Sequence, residues 1–127
     1  MKPLEGIKVI DLTHMLAGPY AGMVIADLGA EVVKVEPLDT GEMTRGLLAE
    51  DPNNSFKGFG AYFLTLNRNK KSVSLDLKNK DGLNVFYDLV KTADVVLNNF
   101  SAGVVTKLKI DFEHLSRINP KIITCSI

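Results

Sequence analysis

Short apolar runs alternate with longer helix-like stretches along this chain, and the alternation predicts its elements. Val9–Leu12 and Val32–Val35 are apolar runs bounded by polar and turn residues, which is typical of buried strands. The segment between them is rich in small and apolar residues and predicts a helix. Pro19 suits the first helical position and Gly29 the position just after the helix. This order predicts a right-handed βαβ unit that opens a parallel sheet.

The same alternation continues to the end of the chain. Ser72–Leu77 alternates polar and apolar residues, as a half-buried strand does, and Tyr62–Leu66 before it fits a short strand or a buried connector. From Asn79 the apolar spacing becomes helical, with Asn79 as the N-cap. The remaining predicted elements are a strand at Asp94–Leu97, a short helix at Val104–Leu108, a helix capped by Asp111 and a last strand at Lys121–Ile127.

These elements predict one α/β domain over residues 1–127 with a mainly parallel sheet. Residues 37–61 hold four of the ten glycines and no sustained periodicity, and a loop of this length tends to be functional or mobile. The chain stops inside a predicted strand. We therefore expect a fold that is incomplete at the C-terminus, either as a fragment of a longer polypeptide or with its sheet edge covered by a partner chain.

Composition is that of a soluble globular protein, with 46% hydrophobic and 24% charged residues. Fifteen basic residues balance fifteen acidic ones, so no overall charge favours nucleic acid or a membrane surface. No apolar stretch reaches the roughly 18–20 residues of a membrane span, and a signal peptide is not predicted from the first residues. The single cysteine, Cys125, allows no disulfide within the chain, which fits a cytoplasmic location, and it is predicted to pack in the core. His14 and His114 have no metal-like spacing with each other or with Cys125, so no metal site is predicted.

Two loops at predicted strand ends carry candidate binding residues. His14 follows the first strand, where α/β sheets bind ligands, and is equally interpretable as a ligand contact or as a loop histidine without chemistry. Asn98, Asn99 and Phe100 follow a later strand. Two amides and a ring suit an amphipathic ligand, although an ordinary turn with Phe100 folded inward is the plainer alternative.

Two charged features have competing interpretations. Glu36 is placed like the acid that holds a ribose hydroxyl in nicotinamide-binding domains, but no G-x-G-x-x-G fingerprint or phosphate loop accompanies it. A solvated acid at a strand end explains Glu36 equally well. The cluster of Arg68, Lys70 and Lys71 could receive phosphates, although a solvated charged face is the favoured interpretation.

Taken in order, several long segments resemble the class III CoA-transferase family, which includes formyl-CoA transferases, carnitine-type CoA-transferases and α-methylacyl-CoA racemases. The resemblance is carried by Pro3–Glu36, by GEMTR at Gly41–Arg45, by LNRNKKSVSLDLK at Leu66–Lys78, by ADVVLNNF at Ala93–Phe100 and by INPKIITCSI at Ile118–Ile127. It implies a Rossmann-like domain whose crevice holds coenzyme A.

The resemblance also implies site residues. The thioester end of the ligand would be bordered by His14, Leu16 and Ala17. The adenine and ribose-phosphate region would be lined by Leu75, Asp76, Leu77 and Lys78, and by Asn99, Phe100 and Ser101. Lys107, expected near a helix start, stands where the family often has a basic phosphate partner.

Four positions depart from the family pattern. Formyl-CoA transferases carry a glutamine where this chain has Leu16 and an arginine where it has Pro37. Both changes weigh against a formyl or oxalyl substrate, because an aliphatic side chain cannot hydrogen-bond a small carboxylate. Ser101-Ala102 replaces a common Arg-Pro pair, and this replacement removes an arginine that could contact a phosphate.

The function implied is the N-terminal, CoA-binding portion of an acyl-CoA transferase that moves CoA between carboxylic acids. Its catalytic aspartate would lie beyond Ile127, so the chain as written is expected to be inactive. The alternatives are a fragment of an acyl-CoA racemase, a non-catalytic binding or assembly module, and a nicotinamide-cofactor domain that rests on Glu36. Acyl-CoA and carboxylic acids are the expected partners, and self-association is expected through a bare sheet face or edge.

Overall fold

The computed structural model describes residues 1–127 and has helices on both faces of a five-stranded sheet. In chain order its elements are β1 (Lys8–Asp11), α1 (Ala17–Asp27), β2 (Glu31–Glu36), a 3-10 turn (Met43–Arg45), β3 (Ser55–Phe56), β4 (Phe59–Gly60), α2 (Ala61–Leu66), β5 (Lys70–Ser74), α3 (Lys80–Val90), β6 (Val95–Asn98), α4 (Ala102–Lys107), α5 (Phe112–Ile118) and β7 (Ile123–Ser126). The short strands β3 and β4 form a separate antiparallel hairpin.

The five strands of the main sheet are all parallel and lie in the order β5-β2-β1-β6-β7. β1 is central, and its Ile10 is paired with Val33 of β2 and Val96 of β6. The chain first builds outward from β1 to β5 and then crosses back to place β6 on the other side of β1. This reversal creates a crevice at the carboxyl ends of β1 and β6. The predicted α/β, Rossmann-like, mainly parallel fold is confirmed.

Successive residues of the central strands point into two different cores, as the period of a strand requires. Ile10 and Val96 pack with Phe86 of α3 in the larger core, and none of the three is more than 3% exposed. Val9 faces the opposite way and packs with Ala26 of α1. The α3 side of the sheet is thus apolar at its centre, whereas the α1 side is apolar only over its first half.

Helix α1 approaches the sheet closely because its inner face is made of small residues. A Cβ atom added at Gly22 would lie 2.7 Å from a carboxylate oxygen of Asp11, so no larger residue fits there without a shift. The helix ends at Asp27, and Gly29 follows its C-cap with a φ of 109°, a conformation that glycine adopts without strain. Pro19 lies in the first turn, but α1 begins two residues earlier at Ala17, so the predicted first position was wrong.

Both predicted side-chain caps are confirmed. The Asn79 side chain accepts a hydrogen bond from the amide of Asp81 at 2.8 Å, and the Asp111 side chain accepts one from the amide of His114 at 3.2 Å. Each side chain satisfies an amide that the helix itself leaves without a partner.

Two predicted elements differ in type or position. Tyr62–Leu66 was expected to be a strand or connector and belongs to helix α2, because Phe63 and Leu66 are the buried positions and lie one helical turn apart. Strand β5 starts at Lys70, earlier than predicted, and ends at Ser74. Leu75–Leu77 therefore lies beyond the strand, at the carboxyl edge of the sheet.

Two single residues also differ from their predicted settings. Lys107 is the last residue of α4 rather than one near a helix start. Cys125 is free and exposed on β7, at the edge of the sheet, so the prediction that it packs in the core was wrong. Its apolar neighbours in the sequence gave no sign that the strand is an edge strand.

Replacing Asn79 with alanine should lower the free energy of unfolding by about 1 kcal/mol, because the Asp81 amide loses its acceptor. Urea denaturation followed by circular dichroism measures this change. Asn84→Ala, at an exposed position inside the same helix, is the matched control and should leave stability unchanged or slightly raised. Equal losses in the two variants would contradict the capping role.

Candidate functional site

A cavity of about 510 Å³ opens at the carboxyl edge of the sheet. Its walls come from the loops after β1, β2, β5 and β6 and from one side of α4. The lining residues are Leu12, His14, Val35, Glu36, Pro37, Leu38, Asp39, Leu75, Asp76, Leu77, Lys78, Phe100, Val104 and Leu108. Its size and mixed lining are those of a small-molecule site.

The structure brings six of the eleven predicted site residues together on this cavity. They come from three separate stretches of chain and are His14, Leu75, Asp76, Leu77, Lys78 and Phe100. The other five do not line it. Leu16 and Ala17 are exposed at the start of α1, Ser101 and Lys107 are exposed at the two ends of α4, and Asn99 is half-buried behind the loop.

The sequence analysis did not predict two parts of the cavity wall. Pro37, Leu38 and Asp39 line the cavity from the loop after β2, and Val104 and Leu108 line it from α4 and the residue that follows it. The first group follows a parallel strand on the same edge as β1, so the rule that ligands bind at carboxyl strand ends could have included it. The second group is spaced four residues apart, which marks one side of a helix.

Asn99 joins the two loops that meet at the crevice. Its side-chain oxygen accepts a hydrogen bond from the His14 amide at 3.0 Å, and its side-chain nitrogen donates to the His14 carbonyl at 2.8 Å. The neighbouring Asn98 is buried and hydrogen-bonds the Ser126 hydroxyl and the Phe100 amide. Both amide side chains are therefore engaged within the protein, and Phe100 alone of this turn faces the cavity.

Glu36 is a buried anchor. Arg45 donates from Nε and Nη2 at 2.6 and 2.7 Å, the Ser72 hydroxyl donates at 2.6 Å, and the Glu42 amide donates at 2.8 Å. Each carboxylate oxygen thus already accepts two hydrogen bonds, which leaves none for a ribose hydroxyl. At 2% exposed, Glu36 is not a solvated acid either, so neither predicted role is correct.

The pKa of Glu36 reflects these contacts. Burial alone would raise it, but the hydrogen bonds from Arg45, Ser72 and the Glu42 amide outweigh burial and lower the pKa to about 2. Arg45 in turn lies 4.0 Å from the ring centroid of Phe63. One guanidinium therefore ties the segment after β2 both to the sheet and to α2.

A second buried carboxylate, Asp11, lies directly beneath α1. The Lys70 ammonium donates to Asp11 at 2.8 Å and to the Pro19 carbonyl of α1 at 2.8 Å, while Lys34 lies 3.8 Å from Asp11. Lys34 also donates to the Thr13 carbonyl at 2.7 Å. These bonds fix the loop that carries His14 and the start of α1.

The predicted basic cluster is divided between the interior and the surface. Burial lowers the pKa of Lys70 despite the opposing charge of Asp11, and this side chain is only 2% exposed. Arg68 pairs with Asp27 at 2.5 Å, and the exposed Lys71 pairs with Glu31. The solvated-face interpretation is confirmed for Arg68 and Lys71 and is wrong for Lys70.

His14 occupies the wall of the cavity between charged and aromatic neighbours. Its ring centroid is 5.7 Å from that of Phe100, and its Nδ1 lies 4.0 Å from a carboxylate oxygen of Glu42. Burial, with a smaller contribution from Lys34, holds the pKa of His14 below its usual value. The lowered pKa favours the neutral form of the ring at neutral pH.

The comparison with known protein families adds a decisive match. Residues 4–127 match the family model of CoA-transferase family III. The chain belongs to this family. The resemblance noted from the sequence is confirmed, and it covers nearly every residue from the start of β1 to the end of β7.

Individual relatives of this family III chain agree with the match. It is 41% identical over 126 residues to the formyl-CoA:oxalate CoA-transferase of Afipia carboxidovorans, covering 99% of this chain and 29% of that protein. It is also 41% identical over 127 residues to the succinyl-CoA:glutarate CoA-transferase of Mus musculus, covering 100% and 28%. The chain thus spans less than a third of the length of either relative.

A solved structure supports the same family III fold. The CAIB/BAIF family protein from Brucella suis superposes with a TM-score of 0.89 at 41% identity, over 98% of this chain and 33% of that one.

No group of three or more His, Cys, Asp or Glu side chains is arranged to hold a metal ion. None of the helices combines the length and the apolar character needed to cross a bilayer.

Acid should destabilise the chain partly through Glu36. Its folded-state pKa lies below the unfolded value near 4.5, so the stabilisation is complete above pH 4.5 and is lost as the pH falls toward 2. We expect about 3 kcal/mol of loss from this group, by the value of one pKa unit. Urea titrations at successive pH values measure the slope.

The Glu36→Gln variant isolates this contribution. It should be less stable than the wild type at pH 7 but lose less stability between pH 4.5 and 2. The surface variant Glu31→Gln is the control and should keep the slope of the wild type. An unchanged acid slope in Glu36→Gln would refute the depressed pKa.

Proposed function

We propose that the cavity binds the coenzyme A portion of an acyl-CoA, and that the chain is the CoA-binding part of an enzyme that moves CoA between carboxylic acids. The observation that carries the proposal is a cavity at the strand-order reversal of a chain that belongs to CoA-transferase family III. Two relatives bear the names formyl-CoA:oxalate and succinyl-CoA:glutarate CoA-transferase, which support the same reaction class.

The chemistry of the walls supports this ligand. Leu75, Leu77 and Phe100 offer apolar surface for an adenine ring or for the hydrocarbon parts of the pantetheine arm. Lys78 stands exposed at the rim, where its ammonium can meet a phosphate without loss of hydration. Coenzyme A is longer than the cavity, so the proposed ligand continues over the open rim.

The predicted site residues that do not line the cavity are proposed to act at its edges. Leu16 and Ala17 lie just beyond His14, which supports placing the thioester at this end. Asn99 would act indirectly, by holding His14. Ser101 and Lys107 are exposed at opposite ends of α4, so their proposed phosphate contacts belong to the rim.

We also propose that the chain alone does not catalyse transfer. Asp11, a buried acid beneath the His14 loop, is engaged by two lysines and by Thr13, so it is not free to attack an acyl group. The catalytic aspartate would come from the longer part of such an enzyme, and an acyl-CoA racemase fragment is the alternative. A cytoplasmic location is proposed with it, since Cys125 is a free thiol.

Coenzyme A should raise the melting temperature of the chain, because a ligand that binds only the folded state stabilises it by mass action. Phe100→Ala should weaken the affinity roughly tenfold in calorimetric titration through loss of ring contact. Phe56→Ala is the matched control, since this ring is 62% exposed on β3 and does not line the cavity. No shift of the wild type at millimolar coenzyme A, or an equal shift with NAD, would refute the proposal.

We propose, finally, that the chain self-associates through the β7 edge. β7 is paired on one side only, and its Ile123 is 59% exposed. An unpaired strand with apolar side chains is a template for pairing with a second copy.

Sedimentation equilibrium tests the self-association directly. We expect a mass that rises with concentration above that of the 13.9 kDa chain. Ile123→Lys on the edge strand should reduce the association, whereas Val85→Lys, exposed on α3, should not. A wild-type chain that stays monomeric at high concentration would contradict the proposal.

A further inference from the structure

The ring of His14 has a buried nitrogen that makes no hydrogen bond. Its Nδ1 is the one buried side-chain nitrogen or oxygen in the chain without a hydrogen-bond partner. A buried polar atom without a partner costs free energy, so a second state that satisfies it is favoured whenever one is available. The nearest acidic group is the carboxylate of Glu42, 4.0 Å away, which is slightly too far for a hydrogen bond.

The carboxylate of Glu42 lacks a lysine or arginine partner. It is fully buried, and the His14 ring is the only basic side chain within 4.0 Å of its carboxylate. Its remaining contacts are neutral donors, namely the Met15 amide at 2.8 Å and the Thr44 hydroxyl. These bonds fix the carboxylate in place, so a small movement of His14 is enough to close the gap.

The other buried charges around His14 are already paired with one another. Asp11 is held by Lys34 and Lys70, and Glu36 is held by Arg45. Asp39, Asp76 and Lys78 line the same cavity. Glu42 is therefore the one buried acid facing His14 whose charge is not balanced by a lysine or arginine contact.

We infer that Glu42 is a positioning residue that makes His14 a cationic hydrogen-bond donor when an acyl-CoA fills the cavity. The imidazole takes one proton from solvent. Nδ1–H then donates to Glu42, and Nε2–H donates to a carbonyl or carboxylate oxygen of the acyl group. This inference rests on the proposed function and assigns the acyl end of the ligand to His14.

The inference predicts the direction in which the affinity for acyl-CoA changes with pH. In the empty cavity, burial keeps the pKa of His14 below its usual value. A bound oxygen acceptor on one side and Glu42 on the other favour the charged ring and raise the pKa. Binding then takes up a proton at pH values between the two pKa values. The affinity for acyl-CoA falls as the pH rises through the bound-state value.

Nitrogen-15 NMR of the imidazole rings tests this state directly, because the chain has only two histidines. His114, which contacts Asp111 on α5, is an internal reference, and His114→Gln assigns its signals. Succinyl-CoA and coenzyme A are the two probes. We expect succinyl-CoA to convert His14 at pH 7 to the form with both nitrogens protonated, and coenzyme A to leave it neutral.

The Glu42→Gln variant should keep His14 neutral in the presence of succinyl-CoA. Its affinity for succinyl-CoA should fall about tenfold, as for a lost charge-assisted hydrogen bond, with little change for coenzyme A. Glu50→Gln, an exposed position in the same segment, is the matched control and should behave as the wild type. Folding of each variant is checked by circular dichroism.

The outcomes separate the two claims. If succinyl-CoA binds the wild type but His14 keeps a single protonated nitrogen, the inference is wrong while the proposed function stands. This wild-type result is decisive even if Glu42→Gln fails to fold. If neither succinyl-CoA nor coenzyme A binds, the proposed function fails and takes the inference with it.

Discussion

The structure depends on a layer of buried charge on one face of the sheet. Asp11 and Glu36 lie on the same face of neighbouring strands, and each is fully buried at the point where its strand ends. Glu36 has Arg45 as its one cation partner, so removing Arg45 would leave this carboxylate buried without compensation, which costs several kcal/mol. The polar layer is therefore the constraint that decides how the surrounding loops are placed.

Four stretches of chain meet at this layer. Lys70 and Lys34 tie α1 and the Thr13 carbonyl to Asp11, and Arg45 ties the segment after β2 to Glu36. Asn99 completes the frame from β6 by pairing with the backbone of His14. The loops around the cavity are thus held by specific polar contacts on the α1 side, while the apolar α3 side forms the cavity floor.

The sequence was sufficient for the architecture. Apolar periodicity, the Asn79 and Asp111 caps and Gly29 after α1 are local signals, and local signals determine local structure. They failed at α2, where a short apolar run fits helix or strand equally well. They also failed for Cys125, since whether a strand lies at a sheet edge is a property of the whole topology.

The candidate site was only partly predictable for the same reason. Strand-end loops can be found from the sequence, and His14 and Phe100 do meet at one cavity. Contacts between residues distant in the chain cannot be read from spacing. Glu36 and Lys70 therefore looked like surface charges, although Glu36 pairs with Arg45 and Lys70 with the buried Asp11.

The central claim is that these anchored loops frame a binding site for coenzyme A. Mapping amide NMR shifts of the labelled chain during titration with coenzyme A tests it most directly. The account predicts saturable shifts concentrated in the loops after β1, β2, β5 and β6, with those of Leu75–Lys78 and Phe100 among the largest. Shifts confined to another surface, or no saturable shifts at all, would contradict it.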